Sequence, residues 1–314
     1  MIMINDSMRN NKQYDGNSPK FGITVNKNDY IVKMAKGNTM TVYCEYVASK
    51  FIKAIGVPCH TVELGFYTGV YAGQTKQNEV VAVIKDFTSN NGYKLHKFGE
   101  TQQSSEDTLL PKEYTYEEVI DMIDKHLKMS DTVKIKAKEQ FWQMFICDAI
   151  LGNRDRHKNN WGYLSNGKEC RLAPLYDNGS SLFPDVYKVI NQYASDFESR
   201  KEFMYNRVYK FPACLLMEIR KDTSTNRLRA FRTNYAQVLK DLRKYRILAA
   251  MVKRLREKYT DKNIFNIMQG IVRDIPLNNI YKRFYIEIVT LRFKCLILRQ
   301  DFDKAYKQVE GWLA

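Results

Sequence analysis

The sequence predicts an α+β chain of two lobes: a small antiparallel sheet carrying one helix, then a larger lobe that is mostly helix. Three observations predict it. Short apolar runs that alternate, or stay apolar over strand length, fill 21–34 and 60–84. A long polar stretch over 88–111 interrupts that pattern. Beyond it, apolar residues recur at helical spacing almost to the C-terminus. Residues 1–13 accordingly read as a flexible lead, 14–87 as the first lobe and 88–314 as the helical second lobe.

Elements follow in order. Phe21, Ile23 and Val25 alternate, Asn26 to Asp29 make a hairpin loop, and Tyr30 to Met34 returns as a second strand. The preceding Gly16-Asn17-Ser18-Pro19-Lys20 offers backbone N–H groups and a basic side chain to a phosphate. The same five residues also make a plain turn. Lys33 ends an otherwise apolar strand, where a lysine salt-bridges, snorkels or reaches a phosphate. A helix is predicted over 39–55, with Val42, Tyr43, Val47, Phe51 and Ile52 on its buried stripe and Gly56 and Pro58 ending it. Glu45 lies beside that stripe, either as a solvated charge or as an ion-pair partner of Lys33. Strands over 60–67 and 80–84 close the first lobe, and Lys85-Asp86-Phe87 leads out of it.

In the second lobe Thr115 and Glu118 form a capping box that opens a helix. Another starts near Ser130 and carries Phe141, Met144, Phe145, Ala149 and Ile150 to a stop at Gly152. A polar loop with Asp155, His157 and Asn160 follows, then a strand from Trp161, a turn at Asn166-Gly167, and a short apolar run ending at Asp177. Past Pro184 the chain reads as all helix, with 226–258 placing Leu228, Phe231, Tyr235, Val238 and Leu242 on one face.

Composition narrows the classes. With 314 residues and 44% hydrophobic content the chain is globular and long enough for a substantial core. No apolar run approaches the ~18 residues of a membrane span, and no Sec-type signal opens the chain, so a cytoplasmic location is expected. Six scattered cysteines without a CxxC pair read as buried free thiols, excluding a zinc or disulfide framework. Four separated histidines without HExxH argue against a zinc hydrolase. The absence of GxSxG, GxxxxGK[ST] and GxGxxG removes α/β-hydrolases, P-loop NTPases and dinucleotide binders. The formal charge of +15 favours anionic partners, or simply keeps the protein soluble. Basic residues in the last third are not confined to one stripe, so nucleic acid is not the favoured partner.

What remains is a loop aspartate, an asparagine five positions on, and an aspartate after the next hairpin. Asp and Asn in loops often bond only their own backbone. Here each segment is anchored by apolar elements that hold its polar end at a cleft. Hard divalent cations take oxygen ligands, and phosphoryl transfer places Mg²⁺ on an Asp and an Asn with a further Asp at the nucleophile. His157 reads as a brace of this loop.

The segments QFWQMFICDAILGNRDRHKNN and CRLAPLYDNGSSLF resemble the catalytic region of the HipA-like serine/threonine kinases, with their GxxDxHxKN loop and later L-x-P-x-Y-D. D-R-H-x-x-N with a following D-x-G is also similar to phosphoinositide 3- and 4-kinases. Upstream, Gly16 to Lys20 is similar to the family's G-x-Q-P-K loop and Tyr30-Ile31-Val32-Lys33 to its nucleotide-lysine strand, with Glu45 in place on the next helix. Ser18 stands where the family has glutamine, and Lys158-Asn159 departs from its x-Lys order.

The resemblance implies a bilobal protein-kinase-like fold that binds ATP and Mg²⁺ between the lobes and phosphorylates a protein serine or threonine, including one of its own. It implies Asp155 as the base at the acceptor hydroxyl, and Asn160 and Asp177 as metal ligands. Lys33, held by Glu45, would neutralise phosphate, Gly16, Asn17, Ser18 and Lys20 would close over the triphosphate, and adenine would lie near Lys85 and Phe87. The phosphate loop comes almost at once, without the family's regulatory N-terminal subdomain, so no antitoxin partner is implied. Secretion would rest on resemblance alone. A small-molecule or phosphoinositide kinase, and a non-enzymatic basic nucleic-acid-binding protein, are the competing readings.

Overall fold

The computed structural model describes the chain apart from residues 17, 90–91, 101–113, 126–128, 211, 222–223, 225–227 and 314, and apart from the side chains of 100, 114, 212–221 and 228–232. Its first part is a five-stranded sheet in the order β1-β4-β5-β3-β2. The strands are β1 (Ile2–Asn5), β2 (Lys20–Val25), β3 (Asn28–Lys33), β4 (Val62–Tyr71) and β5 (Gln74–Lys85). Helix α1 (Met40–Ala54) packs on one face. Alternation along β5 serves both faces. Val81 and Val83 turn into a cluster with Ile4, Ile23, Val32 and Tyr67, while Ala82 and Ile84 face α1 and the main core.

The first residues are not a flexible lead. Strand β1 pairs parallel with β4, so the sheet is mixed rather than wholly antiparallel. The chain then crosses to the opposite edge, where Arg9 bridges Ile23 beside β2. Ile4 is 2% exposed. Asp6 accepts hydrogen bonds from the Tyr67 hydroxyl at 2.7 Å and the Val70 amide at 2.8 Å. The Arg9 guanidinium lies 4.2 Å from the centre of the Phe21 ring. A side chain at Gly65 would strike the Ile2 carbonyl at 2.8 Å, so glycine there lets β1 approach. These residues strap one edge of the curled sheet to the other.

The second part begins with β6 (Lys94–Lys97) and β7 (Tyr114–Thr115), then α2 (Tyr116–Asp124) and α3 (Asp131–Leu151). The Thr115–Glu118 capping box is present at α2. Strands β8 (Gly162–Ser165) and β9 (Cys170–Leu172) form a hairpin that β6 extends to a three-stranded sheet. Helices α4 (Ile190–Tyr193) and α5 (Phe197–Tyr209) follow. The all-helical expectation past Pro184 fails next: β10 (Pro212–Lys221) and β11 (Leu228–Asn234) pair antiparallel, with β7 parallel to β10. Leu228 and Phe231 therefore belong to a strand, not to the helical stripe. The physical reason is a ladder of backbone hydrogen bonds and a start signal at Asn234. Its side chain accepts the Gln237 N–H at 2.7 Å and opens a new helix, α6 (Tyr235–Lys240). Helices α7 (Arg246–Lys258), α8 (Asp261–Arg273), α9 (Asn279–Arg292) and α10 (Phe302–Leu313) complete the chain. No described helix is long and apolar enough to cross a membrane.

One core residue makes stability depend on pH. Glu287 on α9 is fully buried, accepts the Tyr193 O–H at 2.6 Å, and its Oε1 has no partner among the described residues. Burial pushes its carboxyl up to about 7, against the opposing effect of the Tyr193 hydrogen bond. A folded value above the ordinary 4.5 means this contribution is full below 4.5 and is lost as pH rises through 7. Glu287→Gln is therefore expected to stabilise the protein by about 1–3 kcal/mol near pH 8 and by little near pH 4. Thermal unfolding at both pH values measures it, and equal shifts at the two would refute it.

Candidate active site

Two convergences build the site. The first is at Lys33, the last residue of β3. Its Nζ donates to Glu45 Oε2 on α1 at 2.8 Å and to Asp177 Oδ1 at 2.6 Å. Burial works against the ammonium, but Glu45 and Asp177 more than offset it and hold the lysine well above its ordinary pKa. Glu45 is fully buried, yet Lys33 and then His60 keep it ionised, far below the usual carboxylate range. Asp177 adopts a left-handed conformation with φ of 56°, which turns its carboxylate toward the sheet lobe. At Gly179 an added Cβ would lie 3.2 Å from Glu45 Oε2, so this turn packs directly on α1.

The second convergence is at Arg156, in the loop after α3. This guanidinium is 0% exposed. It donates to both oxygens of Asp148, at 3.0 and 3.1 Å, and to Asn178 Oδ1 at 2.6 Å. It also donates to the carbonyls of Asn160 at 2.8 Å and Tyr176 at 2.6 Å. One side chain thus fixes the backbone beside both Asn160 and Asp177. Asn178 carries the network on: its N–H donates to Glu45 Oε1 at 2.7 Å and its Nδ2 to Ser49 Oγ at 3.0 Å. His60 Nε2 stands 3.1 Å from Glu45 Oε1. A continuous buried polar network therefore runs from α3 through the loop and the turn at Asp177 to α1.

Asp155 is set on this frame by its backbone. Its N–H donates to Asn153 Oδ1 at 3.0 Å, and its carbonyl accepts from Asn160 Nδ2 at 2.7 Å. Its carboxylate is exposed, with His157 Nε2 4.0 Å away. His157 Nδ1 accepts the Asn159 N–H at 3.2 Å, tying the loop to itself.

The remaining expected residues fall in two places. Gly16, with φ of 113°, lets Lys20 fold back over the loop, where Nζ donates to the Asp15 carbonyl at 2.6 Å. A Cβ at Gly16 would lie 2.6 Å from that Nζ. Ser18 is half-buried in the same loop, and Asn17 lies outside the described residues. At the end of β5, Phe87 packs 6.0 Å from the Tyr176 ring. The Lys85 side chain instead points to solvent, and its backbone N–H donates to the Thr61 carbonyl. The buried hinge residue is Asp86, which accepts from the Tyr14 hydroxyl at 2.9 Å and the Thr88 N–H at 2.8 Å.

Sequence reasoning missed Asp86, Tyr14, Asp148, Arg156, Asn178 and His60. Asp148 and Arg156 did carry a signal, since each is a charge inside an apolar segment or between two motif residues and so requires a buried partner.

The donor chemistry suits a magnesium nucleotide. Among the described residues no three His, Cys, Asp or Glu converge on a metal position. Mg²⁺ does not need such a cage, because it is held through one or two carboxylates together with substrate phosphates. Asp177 would supply a carboxylate and Asn160 an amide oxygen, beside the ammonium of Lys33.

A curled sheet with an anchored lysine, set against a helical lobe that carries the Asp155 loop, defines a kinase-like protein of the HipA class. Residues 13–258 match the HipA-like C-terminal domain, and the chain belongs to that family. It is 31% identical over 219 residues to the serine/threonine-protein kinase CtkA of Helicobacter pylori. That match spans 64% of this chain and 61% of the relative's length. The crystal structure of a Helicobacter pylori proinflammatory kinase CtkA superposes with a TM-score of 0.75 at 26% identity, over 99% of this chain and 98% of that one. A Shewanella oneidensis HipA, solved with HipB and operator DNA, shares the fold at a TM-score of 0.50 and 12% identity, over 96% and 70% of the two chains. These likenesses support a kinase-like function.

Proposed function

We propose that the chain is an ATP- and Mg²⁺-dependent serine/threonine protein kinase that also phosphorylates itself. The observation that carries this reading is Lys33, held between Glu45 at 2.8 Å and Asp177 at 2.6 Å. A lysine fixed by a buried glutamate, next to an aspartate that is partly open to solvent, matches what phosphoryl transfer needs: a positioned cation for phosphate oxygens and a carboxylate for the metal. Mg²⁺, when bound, supplies charge neutralisation at the phosphates, with Asp177 and Asn160 as its protein ligands. Gly16, Ser18 and Lys20, with Asn17 between them, cover the phosphates. Phe87 and the main chain from Lys85 bound the adenine. Asp155 orients the acceptor hydroxyl and takes its proton, and its exposure leaves room for a protein segment. The same geometry favours a protein substrate over a soluble small molecule, since the carboxylate opens outward.

The test is incubation of the purified chain with ATP and Mg²⁺, followed by intact mass measurement and peptide mapping. Phosphate on serine or threonine is expected. Absence of any ATP binding by calorimetry with Mg²⁺ present overturns the reading.

A further inference from the structure

Residues 10–14 cross the face of the sheet from which Lys33 reaches Asp177. Side chains alternate along a strand, so the strand register sets out that face in rows. Lys20 stands opposite Lys33. Two residues along, Gly22 stands opposite Ile31, which pairs with Ile84 of β5. Ile84 is buried in the core shared with α1, and Ile31 packs against that core. The next row holds Thr24 and Asp29, and the Asp29 carbonyl accepts the Asp86 N–H at 3.0 Å. An apolar row thus lies between the two lysines and the end of β5.

Gly22 leaves this row bare at its edge, and Tyr14 takes the space. A Cβ at Gly22 would lie 3.1 Å from Tyr14 Cε2 and would overlap Asn10 Oδ1, so glycine is what admits these residues over β2. The Asn10 N–H donates to the Gly22 carbonyl at 3.0 Å, and its Nδ2 donates to Thr24 Oγ1 at 2.9 Å. The Tyr14 O–H donates to Asp86 Oδ2 at 2.9 Å. Burial, then the Asp86 charge, holds this phenol well above its ordinary pKa, so it stays a donor. Asp86 is steadied in turn, its Oδ1 accepting from the Thr88 N–H at 2.8 Å and Oγ1 at 2.6 Å. The far end of the ring is therefore clamped between Gly22 and Asp86, while the residue as a whole is only half-buried. A fixed, partly uncovered aromatic ring beside an apolar row is a platform for a flat base. Gly16 follows two residues later, so one short segment leads from that platform to the phosphate loop.

We propose that Tyr14 is the stacking surface for the adenine base, admitted by Gly22 and oriented by Asp86. The inference rests on the nucleotide-site reading and deepens it. It adds a base-binding residue that lies outside every motif and ahead of the phosphate loop.

Calorimetry on the full chain with Mg²⁺–ATP, AMP and Mg²⁺–tripolyphosphate tests it. Tyr14→Ala is expected to weaken ATP and AMP binding alike, by about tenfold. Tripolyphosphate, which has no base, should bind the variant within about twofold of wild type, which also reports that it folds. Tyr14→Phe keeps the ring and should hold ATP within about threefold of wild type. Tyr14→Leu keeps bulk over Gly22 without the aromatic face, and should lose about fivefold for ATP and AMP; it carries the test should Tyr14→Ala not fold. A residue that only braces the phosphate loop would lose tripolyphosphate as strongly as ATP, and that result overturns the proposal. So does tighter ATP binding in Tyr14→Ala, which would make the ring a plug, or an unchanged affinity. An equal loss in Tyr14→Phe and Tyr14→Ala overturns it as well, by assigning the effect to the hydroxyl. Failure of the wild-type chain to bind either ATP or tripolyphosphate overturns the nucleotide reading itself and this proposal with it, an outcome distinct from the variant comparisons.

Discussion

Arg156→Met is expected to lower the unfolding free energy by about 3–5 kcal/mol, the range for breaking one partner out of a buried ion pair. The guanidinium is 0% exposed, and the variant leaves Asp148, itself 1% exposed, without its counter-ion. Burial already raises the Asp148 carboxyl above its ordinary value, with Arg156 as the chief opposing influence. Without Arg156 that carboxyl must take up a proton or stay charged in the core, and either costs stability. The loss extends to the site, because Arg156 also holds the carbonyls of Asn160 and Tyr176. Removing both charges together, as Asp148→Asn with Arg156→Met, should restore part of the stability, since no lone charge remains. Arg156→Lys should not rescue fully, because one ammonium cannot reach acceptors spread around a planar fork. Urea denaturation of the four proteins measures this. A loss below about 1 kcal/mol for Arg156→Met would show that the network is dispensable for folding.

The same residue shows where sequence reading stops. Asp155, Asn160 and Asp177 were visible as a spacing, and Lys33 as a charge at the end of an apolar strand. The Lys33–Glu45 pair was legible because strand and helix are joined by a short connection. The Asp177–Lys33 contact links residues 144 positions apart and depends on how two lobes meet, which no local pattern reports. Arg156 looked like a spacer between Asp155 and His157. Its value lies in partners on α3 and beyond Tyr176, and buried polar groups are legible only once those partners are known. Residues 2–9 were misread because a four-residue strand carries little periodicity, although Ile2 and Ile4 alternate and Gly65 leaves space for them. The β10–β11 hairpin was misread because Leu228 and Phe231 happen to extend the helical spacing of Tyr235 and Val238, and Asn234 was not weighed as a cap. Misassignment therefore fell on elements whose pairing is long-range, while the motif loops were recognisable from residue type alone.

Asp155→Asn is expected to reduce phosphate transfer by about 10²–10⁴-fold, the span attributed to a positioned acid or base. Stability and ATP affinity should both remain close to wild type. The separation stems from how the residue is held. The loop is fixed by backbone and neighbouring side chains: Asn153 accepts the Asp155 N–H, Asn160 donates to its carbonyl, and Arg156 anchors the Asn160 carbonyl. The Asp155 carboxylate is exposed and stands 4.0 Å from His157 Nε2, outside the hydrogen bonds that fix the loop. Asparagine keeps the shape and loses the proposed base. Lys33→Met is the informative contrast, because it removes a charge shared by Glu45 and Asp177 and leaves the fully buried Glu45 without the ammonium, held by the Asn178 N–H and His60. That variant should lose stability, ATP affinity and transfer together. Single-turnover transfer, ATP calorimetry and thermal unfolding of both variants separate the two roles. If Asp155→Asn transferred phosphate within about threefold of wild type, the exposed carboxylate would not be the group that takes the acceptor's proton.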